Sequence, residues 1–459
     1  MDGGAIGRAV ELAGLRMPPG WDYEVAGADP VLRSPHHLGE GAAVARLLSG
    51  LAAAELWRLR TGRRQRVAVD VRHAAASLNS ARYAHSVGQT DPGRISSLVT
   101  RIVAARDGRH VQLHGSFHDT PQILAELGLD GHATPAAVDG AVARRDAFEL
   151  EQAFIRRGIC GGVVRSRAEW AAHPQGQALA SLPVVTLTKI GEAPPEPLPA
   201  GGRPCSGVRV LDLTRVLAGP TCAKTLAEHG ADVLHVRAPH LETDRFAMET
   251  GIGKRQALMD LREPEQAAAL RELTREADVF SQGYRLGAMA RRGLGPAEVA
   301  ALRPGVVYVS ENCYGPVGPW AGRPGWEQLG QAATGMSFRQ GQGHGAPRLA
   351  PAAVNDYSTG FFAAYGAMTA LARRATEGGS WHVQVSLCQT AMWYQRLGEH
   401  CDPAAAPELD ASPFQAEMDT PDFGRIRYLT PAVWMSETPV RWDLPPARPG
   451  AHAAEWRPR

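Results

Sequence analysis

The sharpest apolar pattern in the chain is residues 208–213, a run rich in β-branched side chains and bounded by Gly207. A run of that length and composition predicts a buried strand. Ala218-Gly219-Pro220 interrupts it, and Thr221 is placed to cap a helix whose apolar side carries Leu226 and Ala227. Gly230 closes that helix, and residues 231–236 read as a second buried strand. Strand, helix and strand within about thirty residues is the size of a parallel βαβ unit. Further strands are expected at 279–280, 306–310 and 383–387, alternating with helical stretches. The fold class is therefore α/β: a doubly wound, Rossmann-like large domain over residues 207–395. Such a unit places a nucleotide-like ligand at the end of its first strand. The Gly-x-Gly-x-x-Gly fingerprint is absent, so NAD is not the first expectation.

The rest of the chain is more varied. Residues 1–35 are short of pattern and rich in Gly and Pro, a surface lead-in. Residues 39–78 give an Ala/Leu-rich helix ending at Thr61-Gly62 and then an alternating strand at 66–71. The same grammar returns at 359–393, and one constant offset pairs Gly50 with Gly366 and Gly62 with Gly378. The match reads as an internal repeat, with chance similarity of Ala-rich helices as the alternative. Residues 102–113 carry a hairpin signal around Asp107-Gly108, followed by polar helical stretches that include 136–157. Residues 190–203 are Pro/Gly-rich without periodicity, a linker. Beyond Arg396 the pattern fades into Pro-rich coil.

Composition narrows the function classes. At 459 residues and 44% hydrophobic composition the chain can hold two or three domains with sizeable cores. A formal net charge of +2 gives no electrostatic reason to expect nucleic acid or an anionic membrane as partner. The six cysteines show neither Cys-x-x-Cys spacing nor histidines at metal-finger spacing, so reduced thiols and no metal are expected. No apolar run approaches the roughly 20 residues that span a bilayer, so a cytoplasmic protein is expected.

The wording of several segments is distinctive. VLDLTRVLAGP…LAEHGADVLHV resembles the opening of the family III CoA-transferases, the formyl-CoA transferase, carnitine CoA-transferase and α-methylacyl-CoA racemase group. GKRQALMDL at 253–261, ADVFSQGYRLGAMARRGLG at 277–295, the 303–335 stretch, NDYSTG at 355–360 and MSETP at 435–439 follow in that family's order. The resemblance implies a smaller α+β domain, which here precedes the large one. The expected organisation is 1–90 as a remnant of a duplicated large-domain segment, 91–189 the small domain, 190–206 the linker, 207–395 the CoA-binding domain and 396–459 an extended tail. It also implies a homodimer, with acyl-CoA and a carboxylic acid as small-molecule partners.

Asp356 is the expected nucleophile. By position alone it reads as a helix-capping carboxylate, held ionised by unpaired backbone N–H groups. The resemblance instead implies attack on an acyl-CoA thioester, through an aspartyl-acyl anhydride and an aspartyl-CoA thioester. Glu327 stands where the family places an acid near that carboxylate, although its position reads equally well as a helix-start residue. Trp326 stands where the racemase branch has a histidine, and an indole cannot relay a proton, so racemisation is the lesser alternative. A catalytically decayed CoA-binding homologue is the other, since Glu40 falls opposite Asp356 in the repeat. Coenzyme A needs cations for its phosphates, and Arg237, Lys254, Arg255, Tyr284, Arg285 and Arg291 are the expected contacts. His344 and His382 read as surface or strand residues. Leu217 stands where the formyl-CoA branch has a glutamine, and Gly283 where the family's loop has an asparagine, which points to a larger or more apolar acyl group.

Overall fold

The structure, a computed structural model, describes every residue except 18–19, 89–96, 116–118, 242–244, 343, 401 and 459. Cys401 and the boundary expected at 90/91 lie outside the described residues. The central sheet has seven strands, in the order Lys254–Leu258, Asp232–Arg237, Arg209–Asp212, Val279–Gln282, Val307–Asn312, Ser380–Ser386 and Thr186–Gly191. The first six run parallel and the last is antiparallel. Counted along the chain from Arg209, the parallel strands stand 3-2-1-4-5-6, the doubly wound nucleotide-binding order.

Register explains why these segments are strands. Val210 lies opposite Val233 and Val279, and Val279 opposite Val307; all four enter one core. Their successors Leu211, Leu234, Phe280 and Tyr308 are likewise in register and enter a second core on the other face. Side chains alternate with a period of two, so a strand covered on both faces must be apolar throughout, as the sequence pattern required. The valine face is covered by the helices Ala218–Glu228, Leu38–Thr61 and Val354–Glu377. Pro264–Arg275 and Pro296–Leu302 cover the other. The expected helix after the first strand begins at Ala218, with Leu217 as its N-cap, so Thr221 is an interior residue and not the cap.

A second lobe precedes this sheet in the chain. The antiparallel strands Arg101–Ala104, His110–Leu113 and Gly161–Val163 carry the helices Asp119–Glu126, Pro135–Val142 and Ala147–Arg157. These share their own apolar core around Val111, Leu124, Leu150 and Phe154.

Three expectations need correction. The lead-in contains a helix, Gly3–Leu12, that buries Ile6, Ala9 and Val10, and a strand, Tyr23–Ala26, parallel to Val67–Asp70. The linker begins inside the antiparallel edge strand Thr186–Gly191. The tail is not plain coil: Gln415–Thr420 and Gly424–Leu429 form a hairpin, and Trp434–Met435 pairs with Val67 and Ala68. Its last stretch lies on its own chain, where Trp442 Nε1 donates to the Lys224 carbonyl and Trp456 Nε1 to that of Leu273, each at 3.0 Å.

Candidate active site

The strands Arg209–Asp212 and Val279–Gln282 are where the sheet order reverses, and their C-terminal ends open into a cavity of about 270 Å³. Doubly wound sheets take ligands at that switch point because the diverging loops leave a crevice. Leu213–Ala218, Gly283–Arg285 and Glu311–Cys313 form one wall, and Asp119 and Cys160 of the preceding lobe another. One chain therefore supplies both sides.

Beneath this wall is a buried ion pair. Lys254 Nζ lies 2.8 Å from Asp212 Oδ2 and 2.8 Å from the Pro220 carbonyl, with both side chains wholly inaccessible. Asp212 Oδ1 in turn accepts from the Thr214 backbone N–H at 3.0 Å. The pair ties the first turn of the loop to the neighbouring strands. Val216 then takes φ +70°, a left-handed conformation that a β-branched side chain adopts only under external constraint.

Asp356 lines the cavity and is 9% exposed. It sits in the first turn of Val354–Glu377, a helix whose Gly360 lies so near the Ala218 carbonyl that an added Cβ would stand 2.5 Å from it. The glycine of NDYSTG thus permits the close crossing that brings Asp356 to the cavity wall. Glu327, 4% exposed, lies behind: its Oε1 accepts from Asn355 N at 3.1 Å and its Oε2 from Asp356 N at 3.0 Å. Gln331 Nε2 donates to Oε1 at 2.6 Å. This overturns the expected electrostatics. The first-turn N–H groups serve Glu327, and among the described residues no donor reaches the Asp356 carboxylate. Burial, and then the Glu327 and Glu311 carboxylates, push the Asp356 pKa well above the usual range. Burial also raises Glu327, against the opposing effect of its hydrogen bonds. Both shifts disfavour the charged form, and a charged Glu327 opposes ionisation of Asp356.

Glu311 was not anticipated. It is the penultimate residue of the strand Val307–Asn312, with its carboxyl on the cavity, and burial lifts its pKa to about 7 although the Gly219 N–H favours the charged form. A Cβ at Gly283 would stand 3.1 Å from Glu311 Oε2, so the missing side chain at 283 makes room for this acid. In the sequence it looked like one more position in a strand. Trp326 lines the cavity and stacks on His114 at 5.8 Å. His382 is bonded to Ser310 at 2.6 Å away from the cavity lining, and His344 is exposed.

The expected cationic contacts separate. Tyr284 and Arg285 line the cavity, joined by Arg215 and Arg323, which the sequence reading had not selected. Lys254 is spent on Asp212, and Arg255 bonds both oxygens of Asp232 and the Glu455 carbonyl, so neither reaches the cavity. Both are corrected to supports of the fold. Arg237 is 4% exposed and is not part of the cavity lining. Arg291 lies in a separate depression with Arg271 and Arg292.

Over residues 205–399 the chain matches the model of CoA-transferase family III. It is similar to an acyl-CoA transferase of Gibberella moniliformis, 37% identical over 66% of this chain and 58% of that protein. It is also similar to an acetyl-coenzyme A transferase of Hypoxylon pulicicidum, 34% identical over 65% of this chain and 55% of that one. The chain thus spans little more than half the length of these relatives. A solved CaiB/BaiF family protein from Brucella suis is 28% identical with a TM-score of 0.40, covering 42% of this chain and 55% of that one. Among the described residues no helix is long and apolar enough to cross a membrane.

Proposed function

We propose that this chain moves CoA between an acyl-CoA thioester and a carboxylic acid, with Asp356 as the nucleophile. The observation that carries the reading is the placement of Asp356: a carboxylate with no neutralising partner, at a helix start, on the wall of the switch-point cavity. A carboxylate with a raised pKa is a stronger nucleophile once deprotonated, because no hydrogen bond or cation has to be given up before attack. Its oxygen attacks the thioester carbon, the C–S bond breaks and CoA leaves as thiolate, giving an aspartyl-acyl anhydride. The thiolate then attacks the aspartyl carbonyl, releasing the first acid as carboxylate and leaving an aspartyl-CoA thioester. The acceptor carboxylate attacks that thioester to form a second anhydride, which the thiolate resolves into the new acyl-CoA and free Asp356.

Glu327 positions Asp356 by accepting from the second and third N–H groups of its helix, those of Asn355 and Asp356. Tyr284, Arg285 and Arg215 offer the aromatic face and the cations that a nucleotide with phosphates requires. Leu217, Trp326 and Leu387 give the acyl end an apolar wall, favouring a larger or more apolar acyl group. Trp326 also leaves no histidine at its position for two-base racemisation. The reading carries with it a cytoplasmic homodimer, to be checked by light scattering.

Incubation with an acyl-CoA followed by hydroxylamine or borohydride should mark Asp356, located by peptide mass spectrometry. Turnover with Asp356 left unmodified overturns the mechanism.

A further inference from the structure

The two long helices of the valine face repeat one another more closely than their sequences show. Leu38–Thr61 and Val354–Glu377 are each 24 residues, and their starts and ends keep the offset that pairs Gly50 with Gly366. A Cβ at Gly50 would stand 2.7 Å from Val67 Cγ1, and one at Gly366 would stand 2.5 Å from Val383 Cγ1, the repeat-related valine. The likeness extends to the helix starts. Asp29 takes the first N–H groups of the earlier helix, Oδ1 from Gly39 at 3.1 Å and Oδ2 from Glu40 at 2.8 Å. Glu327 does the same for Asn355 and Asp356, so Glu40 occupies the place of the proposed nucleophile.

What surrounds that place differs. At the earlier helix two imidazoles crowd the carboxylates. His37 and His400 have ring centroids 3.8 Å apart. The His400 backbone N–H bonds the Pro35 carbonyl at 2.8 Å, and the adjacent residues His36 and Glu399 pair as an antiparallel bridge. One ligand atom each from Asp29, His37 and His400 lie within 4.8 Å of one another. His37 Nδ1 is 3.0 Å from Glu40 Oε2, while His400 Nε2 is buried with no hydrogen-bond partner.

We propose that Asp29, His37 and His400 bind one divalent transition-metal ion of the Zn²⁺ type, with Glu40 orienting His37. One carboxylate and two imidazoles, all half-buried, form the donor set of a three-ligand site that leaves a position for water. A carboxylate on one ring nitrogen of a metal-binding histidine fixes the tautomer and frees the other nitrogen for the ion, and Glu40 stands where that partner belongs. Asp29 retains lone pairs beyond those given to the backbone. The two carboxylates Asp29 and Glu40 balance the charge of a divalent ion. The ion ties the 29–40 segment to the 399–400 segment, and no chemistry at Asp356 depends on it. The ligands come from two stretches far apart in the chain, which is why cysteine and histidine spacing gave no sign of the site.

The full chain, stripped with EDTA and dialysed, is titrated with ZnCl₂ by calorimetry, and protein as purified is assayed by elemental mass spectrometry. One Zn²⁺ per chain is expected, with His400→Ala and His37→Ala each weakening binding at least tenfold. Glu40→Gln should weaken it roughly 10- to 100-fold while keeping one ion per chain. Circular dichroism of each apo variant establishes that it is folded before titration. Absence of stoichiometric Zn²⁺ in the unaltered chain, or undiminished binding by folded His37→Ala and His400→Ala, overturns the proposal. The readout is metal content, so it stands or falls separately from CoA transfer.

Discussion

The starts of the two repeated helices share a frame and differ in chemistry. In each, a carboxylate from elsewhere in the chain closes the first backbone N–H groups, and the next acidic side chain stands one position into the turn. At the later helix that side chain, Asp356, faces a cavity with no partner and a raised pKa. At the earlier one Glu40 is engaged by His37. The helix start supplies a place for an acid. Whether the acid is a reagent or a fixture is decided by what meets it. An imidazole is hydrogen-bonded to Glu40, whereas among the described residues Asp356 meets only other carboxylates.

The sharpest way to break this comparison is to remove each acid in turn. Asp356→Asn should lower turnover by about 10⁴-fold, about 5.5 kcal/mol of transition-state stabilisation, with the melting temperature kept or raised. Glu40→Gln should leave turnover within about twofold. Steady-state rates on both variants test the pair, and equal losses would end the distinction. Next in size is the ion pair under the cavity. Lys254→Met leaves Asp212 buried without its cation and should cost about 3–5 kcal/mol in chemical denaturation. Arg291→Ala, in the open depression, should change stability by less than about 0.5 kcal/mol. Smaller than the loss at Lys254, Gly50→Ala and Gly366→Ala should each cost about 1–3 kcal/mol through the same clash with Val67 or Val383. A large cost at one and none at the other would show that the repeated packing is not equivalent.

The difference between the helix starts also marks how far the sequence could be read. The strands of the large sheet were legible because burial on both faces writes itself into consecutive residues, as in 208–213 and 306–310. The repeat was legible through Gly50 and Gly366, each required by two close valine contacts, Val67 and Val433 at the one and Val383 and Val185 at the other. Asp356 was legible as part of NDYSTG, but its surroundings were not. The N–H groups expected to hold its charge belong to Glu327, 29 positions earlier in the chain. Lys254 and Arg255 looked like ligands for phosphate because a lone cation in a sequence carries no sign of its partner; Asp212 and Asp232 come from other strands. The helix Gly3–Leu12 escaped notice because three glycines within its first five residues conceal the three that pack. Its stability is tertiary and not intrinsic.

The smallest effect separates the two ends by pH. Glu311, on the cavity wall, titrates at about 7 in the folded chain against about 4.5 for an ordinary glutamate. Between those values the folded state holds a proton that the unfolded state has released. Folding stability from this residue is therefore greatest below the lower value, falls as pH rises between the two and is flat above about 7. For the proposed mechanism the direction is opposite, because attack by Asp356 needs its carboxyl deprotonated and a charged Glu311 makes that deprotonation harder. Glu311→Gln removes the group and the repulsion together. It should flatten the decline of stability across pH 5 to 7 and shift the rise of kcat/KM toward lower pH. Denaturation midpoints and a pH–rate profile of the same variant measure both. A variant whose profile stays in place while its stability flattens would show that Glu311 feels the cavity but Asp356 does not feel Glu311.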